Sequence, residues 1–398
     1  MSADSQGPLP RGFVAGNRLQ LLKSGVEYFP ALIEAIAAAC HEIHLETYIY
    51  ADDETGRRVA AALSAAAGRG VAVRVLVDGF GARGFEQGLG RELSAAGVEV
   101  LSYRPEAGRF AFRRHRLRRL HRKLAVIDGQ VGFVGGINVL DDFEEDLASP
   151  RLDYAVRVEG PLVVRMHLTM RHVWRLVRWA RLGRRPPAPP RLQRAAASVV
   201  ADGLRAALLL RDNLAHRHDI EYAYLDAIRG ARREILIANA YFLPGRRFRK
   251  FLLLAAQRGV QVTLLLQGRS DHRLLHYATQ SLYDRMLGAG VRVFEYDKAE
   301  LHAKVAVVDD DWATVGSSNI DPFSLLLARE ANIVVRDRGF AAELRASIET
   351  TLAGAAREVR AEEQLRLGWH VRLLRAAAYS IVRLMLGVTR YAGTQYSG

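Results

Sequence analysis

A duplicated α/β fold is what this sequence predicts, and three observations predict it. Helix-like and strand-like segments alternate in the same order in both halves; the strands are near-continuous Val/Ile/Leu runs; and paired segments recur at nearly constant offsets. Gly70-Val71-Ala72-Val73-Arg74-Val75-Leu76-Val77 is echoed in the second half by Gly259-Val260-Gln261-Val262-Thr263-Leu264-Leu265-Leu266. Gly97-Val98-Glu99-Val100-Leu101-Ser102-Tyr103 is echoed, at almost the same offset, by Gly290-Val291-Arg292-Val293-Phe294-Glu295-Tyr296. Runs of this kind belong to mixed or mainly parallel sheets covered by helices. Two pseudo-symmetric sheet-and-helix lobes of roughly 180 residues each follow, a comfortable domain size.

In chain order, Tyr28–Cys40 has helical periodicity, Glu42–Tyr50 reads as a strand, Gly56–Gly68 as an Ala-rich helix and Val71–Val77 as a buried strand. A helix ending near Ala96 leads through Gly97 into the strand Val98–Tyr103. The second half repeats the order with a helix at Ile220–Gly230, a strand at Glu234–Tyr241 and a helix at Phe248–Gln257. Arg184-Arg185-Pro186-Pro187-Ala188-Pro189-Pro190 holds neither helix nor central strand. The expected division is therefore a first repeat at 1–182, a linker at 183–200, a second repeat at 201–358 and a basic amphipathic tail at 359–398.

With 398 residues and 49% apolar composition the chain can bury a sizeable core. Cys40 is the sole cysteine, which excludes an internal disulfide framework and a cysteine-based metal cluster. A net charge of +14 predicts attraction to polyanions, either nucleic acid or an anionic membrane face, and does not choose between them. The N-terminus lacks the pattern of a secretory signal, and no uncharged apolar run reaches the about 18 residues of a spanning helix. Membrane contact is expected to be peripheral.

One motif is stated twice. His121, Lys123, Asp128, Gly135, Gly136 and Asn138 share the spacing H-x-K-x4-D-x6-G-[GS]-x-N with His302, Lys304, Asp309, Gly316, Ser317 and Asn319 of the second half. On a strand, positions i and i+2 face the same way, so each histidine projects beside its lysine. Only 5 of the 57 basic residues are lysine, and two of those five stand in the motif. Small residues at Gly135, Gly136, Gly316 and Ser317 are expected to admit a phosphate oxygen to backbone N–H groups, with Asn138 and Asn319 as further donors. Two such half-sites make a donor-rich pocket for a phosphodiester anion, with neither metal nor cofactor required. Asp128 and Asp309, carried in the catalytic set with the motif, end the motif strands and read more as braces for the following turn. Gly136 stands where the second copy has Ser317, one hydroxyl fewer.

The paired motif resembles that of the phospholipase D superfamily from Asn17 to about Thr351. Leu45-Glu46-Thr47-Tyr48-Ile49, Asp153–Pro161, Ile237–Gly245 and Trp312–Pro322 resemble most the bacterial cardiolipin synthase B type. The resemblance implies a duplicated phospholipase D-like fold with one active site at the interface of the lobes. It implies a nucleophilic histidine that becomes a phosphohistidine and a second that acts as acid and base. Similarity to better-studied members assigns these roles to His121 and His302 respectively; the sequence leaves the reverse open. Lys123, Lys304, Asn138 and Asn319 would bind the non-bridging oxygens. Asp153, downstream of His121, and Glu330, at a similar separation downstream of His302, begin strands and would orient an imidazole, of their own repeat or of the other.

The implied substrates are phosphatidylglycerol and a second phospholipid or alcohol acceptor, giving cardiolipin at the cytoplasmic face of the membrane. Head-group hydrolysis or exchange, and nuclease chemistry of the same superfamily, are the alternatives. Nucleic acid is disfavoured by two features. The loop Arg109–Leu120 mixes Phe and Leu with arginine, as suits anionic head groups over acyl chains. In Arg372–Arg390, Arg372, Arg375, Arg383 and Arg390 fall within about 80° on a helical wheel, with Leu and Ile over most of the remainder. That pattern predicts membrane-surface docking, with packing on the body as the alternative; Met166–Arg181, where Trp174 and Trp179 sit among Arg171, Arg175, Arg178 and Arg181, is a second candidate.

Overall fold

The computed structural model describes residues 12–105, 119–143, 149–182, 199–212, 216–268, 272–321 and 328–388. Most of the basic loop, the linker from 183 to 198 and the tail beyond 388 lie outside the described residues. In the first half the strands are β1 (Val14–Lys23), β2 (Glu42–Thr47), β3 (Ala72–Asp78), β4 (Glu99–Tyr103), β5 (Lys123–Ile127), β6 (Val131–Gly135) and β7 (Tyr154–Glu159). In the second they are β8 (Leu204–Arg211), β9 (Glu234–Asn239), β10 (Gln261–Gln267), β11 (Arg292–Tyr296), β12 (Lys304–Val308), β13 (Trp312–Gly316), β14 (Glu330–Arg336) and β15 (Ala356–Glu358).

Their order in the sheet is β15-β11-β10-β9-β12-β13-β14-β8-β1-β7-β6-β5-β2-β3-β4. Apart from the edge strand β15, each second-half strand stands where its first-half counterpart stands, mirrored about the β8–β1 pair. The duplication seen in the sequence is thus a two-fold arrangement in space. In each half three strands are parallel (β2, β3, β4; β9, β10, β11) and the rest join antiparallel, so the sheets are mixed.

The joint between halves was not legible in the sequence. β1 and β8 pair antiparallel through a register shift between Val14 and Asn17. Asn17, fully buried there, donates to Val14 O at 2.8 Å and Leu204 O at 3.2 Å and accepts from Leu162 N at 2.9 Å. A buried amide with its donors and acceptor engaged fixes one register where an apolar residue would permit slippage.

The two sheet halves share a core. Leu124, Val126, Val134 and Val156 of the first half pack with Leu236, Val305, Val315 and Ile333 of the second, closed by Met166 from the helix Pro161–Leu182 and Leu344 from the helix Arg338–Ala355. Outer faces are covered separately, for example by Leu32 and Leu63 on the first lobe and Tyr224 and Leu252 on the second. Each motif strand is therefore buried on both faces, which accounts for its unbroken apolar x4 stretch.

Candidate active site

Each motif histidine stands just before a buried strand, at the edge where the parallel strands end. Lys304 pairs with Asn239, the last residue of β9, and Lys123 pairs with Gly135. Segments from opposite repeats are stitched together at this edge. His121 N donates to Arg329 O at 3.0 Å, and His302 N donates to Leu152 O at 2.9 Å. Arg329 and Leu152 each precede an acid of their own repeat, Glu330 and Asp153 respectively, so each histidine lies beside the carboxylate of the other.

The side chains follow the same cross-over. His302 Nδ1 lies 2.6 Å from Asp153 Oδ2, and His121 Nδ1 lies 3.1 Å from Glu330 Oε2. A carboxylate on Nδ1 favours the tautomer with its proton there and turns Nε2 toward the opening. Among the described residues neither Nε2 has a hydrogen-bond partner, and both imidazoles keep 16% of their surface open.

Both lysines lie in the same wall. Lys123 Nζ donates to His121 O at 2.8 Å, and Lys304 Nζ donates to His302 O and stands 3.7 Å from Asp153. Burial opposes the charged forms throughout. It holds Lys123 down to about 7 against the attraction of Glu330, and it lowers Lys304 as well. Asp153 is pushed up to about 6 by the same burial. Both histidines fall below their ordinary value, chiefly by burial; the shift is greater for His302, where the charge of Lys304 adds to it. A phosphodiester anion in this wall would offset the cost of keeping the buried lysines charged.

A pH dependence follows from Lys123. Its depressed value means that it is neutral above about 7 and must gain a proton to grip an anion. Affinity for dimethyl phosphate, whose own charge is constant here, is expected to rise about tenfold as pH falls from about 8 to about 6. Isothermal titration calorimetry checks this; a flat profile would exclude a proton taken up on binding.

The remaining motif residues have other work. Asp128 accepts from the backbone N–H of Cys40, His41 and Glu42, and Asp309 from those of Arg232, Arg233 and Glu234. Both sit at the far end of the motif strand with positive φ, 53° and 50°, and tie the turn to the neighbouring strand. They brace the scaffold and do not enter the reacting site.

The expectation that the small residues bare their N–H groups to phosphate is corrected. Gly136 N donates to Tyr154 O and Ser317 N to Ala331 O, both at 3.0 Å, as ladder bonds. Gly135 and Gly316 are small because a Cβ would overlap Ala155 and Asn332 respectively. A Cβ at Gly136 would overlap the Asp153 carboxylate, whereas Ser317 donates from Oγ to Glu330 Oε2 at 2.5 Å. Gly136 and Ser317 thus accommodate Asp153 and Glu330, while Gly135 and Gly316 accommodate the neighbouring strand. Asn138 accepts from Ile49 N at 3.1 Å through Oδ1 and lines the site, while Asn319 is buried with no partner for Oδ1 among the described residues.

Several residues were missed by sequence reasoning. The Tyr48 ring lies 4.8 Å from the His121 ring and 5.4 Å from Lys123 Nζ. Asp78 accepts from Leu120 N and Gln267 from Leu301 N, both at 2.7 Å, so the residue before each histidine is held by the end of the middle strand of a parallel set. The signal was available: Asp78-Gly79 and Gln267-Gly268 follow the two echoed strands at the same place. Beside His302, a cavity of about 90 Å³ is lined by Asn138, Asp141, Asp142, Arg151 and Glu300. Away from the site, Glu42, His44 and His167 bring donor atoms within 4.8 Å of one another. Arg74 Nη1, 3.1 Å from Glu42 Oε2, supplies positive charge there.

Two lobes contributing equivalent His-Lys pairs, each histidine held by the opposite lobe's acid, define a phosphodiester-transfer site of the phospholipase D-like class. Residues 32–143 and 224–352 match the family described as cardiolipin synthase, PLD-like domain, and the chain belongs to that family. It is 42% identical over 355 residues to cardiolipin synthase B of Escherichia coli K12, spanning 86% of this chain and 82% of that one. Cardiolipin synthase of Geobacillus thermodenitrificans is 34% identical over 78% of this chain and 61% of its own length. In fold, the chain is similar to phosphatidylserine synthase of Haemophilus influenzae, with a TM-score of 0.69, 15% identity and coverage of 93% and 96%.

Proposed function

We propose that this protein is a peripheral membrane phosphatidyltransferase that makes cardiolipin from two molecules of phosphatidylglycerol through a phosphohistidine. The observation that carries the chemistry is the pair of crossed histidine–carboxylate contacts, which leaves two Nε2 atoms for one phosphorus. In the first step His121 Nε2 attacks phosphorus, the P–O bond to the head-group glycerol breaks, and His302 gives its Nε2 proton to that oxygen. In the second, a glycerol hydroxyl of another phosphatidylglycerol loses its proton to His302 as its oxygen displaces His121. Cardiolipin and glycerol are the products, and one phosphodiester replaces another.

Lys123, Lys304 and the free amide of Asn138 face the non-bridging oxygens in this reading. The bound anion also raises both imidazoles, which restores to His302 the proton that burial takes from it. The cavity beside His302 suits the departing or entering glycerol, with Glu300 and Arg151 as polar partners. The family match and the identity to cardiolipin synthase B support the choice of substrate. Among the described residues no helix is long and apolar enough to cross a membrane. The enzyme in this reading works from the cytoplasmic face, attached to one leaflet.

Liposomes containing radiolabelled phosphatidylglycerol test the reading. Labelled cardiolipin with release of glycerol is expected. Phosphatidic acid alone would make the enzyme a phospholipase D, and cleavage of oligonucleotides without lipid turnover would make it a nuclease.

A further inference from the structure

The helix Trp369–Val388 meets the body with its arginine side. Ala378 and Val382 are buried in the second lobe's outer core, against the helix Arg273–Gln280. Arg375 Nη1 donates to Gln364 Oε1 at 2.6 Å, Arg372 Nη2 to Gln364 O at 3.0 Å, and Arg383 lies over the Tyr379 ring. Trp369, Leu373, Leu374, Ile381, Leu384 and Met385 point the other way, 47% to 76% exposed. This inverts the amphipathic pattern of a surface helix: the arginine side packs on the body, the alternative the sequence left open, and the apolar side is turned outward. A contiguous outward apolar face marks an interaction surface.

Its position relates it to the reaction. The helix Arg273–Gln280 begins next to His272, whose ring is 5.5 Å from that of Tyr241, just beyond the end of β9. β9 ends at Asn239, paired with Lys304. The outward face therefore belongs to the strand-end side of the lobe that carries His302.

We propose that this face seats in an anionic phospholipid bilayer and holds the site opening against the lipid surface. The inference rests on the phospholipid reading above. Charge complementarity selects the occupant: the chain carries +14, the helix contains no Asp or Glu, Arg366 just before it is exposed, and Arg372 stays exposed although its Nη2 is held by the Gln364 and Leu365 carbonyls. An anionic head-group layer answers those charges while its acyl region takes Leu373 and Leu384, and Trp369 suits the boundary between them. A second copy of the chain would bring an identical helix with no acidic group to set against these arginines.

The test is flotation of the full chain with vesicles of equimolar phosphatidylglycerol and phosphatidylcholine, compared with phosphatidylcholine alone. The wild type is expected to float with the anionic vesicles. Leu373→Glu combined with Leu384→Glu is expected to weaken this at least tenfold, while turnover of a monomeric short-chain phosphatidylglycerol is unchanged. Both leucines are exposed, so the fold is retained, which an unchanged melting temperature checks. Undiminished flotation of the variant overturns the proposal. So does a wild-type dimer by light scattering that the substitutions dissociate without affecting flotation. Cardiolipin formation scored in the same samples keeps the two readings apart: a wild type that floats but makes no cardiolipin refutes the reaction and leaves the docking face standing.

Discussion

Replacing His121 or His302 by alanine is expected to lower steady-state turnover by at least about 10³-fold, and the two variants are expected to fail at different steps. A phosphodiester with a 4-nitrophenol leaving group separates them, because that phenolate departs without a proton. His302→Ala should release about one equivalent of nitrophenol per enzyme and then stall, holding an acid-labile phosphohistidine. His121→Ala should give no such burst. The opposite pattern would exchange the roles of the two histidines, and near-normal turnover in either variant would end the shared-site mechanism. Both imidazoles are largely buried, 16% exposed, so an unchanged melting temperature of each variant is the control that separates lost chemistry from lost packing.

The second large effect concerns the acids. Asp153→Asn and Glu330→Gln keep side-chain volume but disturb the tautomer of the histidine each one touches, with an expected loss of about 10²- to 10⁴-fold. Because the contacts cross between repeats, Asp153→Asn should behave as a milder His302→Ala, with a burst followed by slow turnover. Glu330→Gln should behave as a milder His121→Ala, with a slowed burst. If each acid instead affected the step of the histidine in its own repeat, the crossed assignment would be wrong.

That crossing could not be read from the sequence, although nearly everything feeding it could. The echoed strands, the two motifs and the acid that begins a strand downstream of each motif follow from offsets and local periodicity. Which carboxylate meets which imidazole depends on how the halves meet. That is set by β1 and β8, whose mixed polar and apolar residues give no clear period and whose pairing joins opposite halves of the chain. The C-terminal helix shows the same limit. A helical wheel identifies its arginine side and its leucine side, but Ala378 and Val382 decide which side the body takes. The small residues of the motif were read as openings for phosphate because nothing local revealed Asp153 and Glu330 beside them.

The mirrored sheet has a consequence for the division of labour between the two histidines. A site with perfect two-fold symmetry about the phosphorus would let either imidazole attack and either one carry the proton. This chain departs from that symmetry at one pair of positions in the motif, where Gly136 makes room for a short acid and Ser317 supports a longer one. The two histidine–carboxylate contacts also differ, 2.6 Å on one side and 3.1 Å on the other. Fusing two copies into one polypeptide is what allows such a difference to arise, since a dimer of identical chains would have to carry each change on both sides at once.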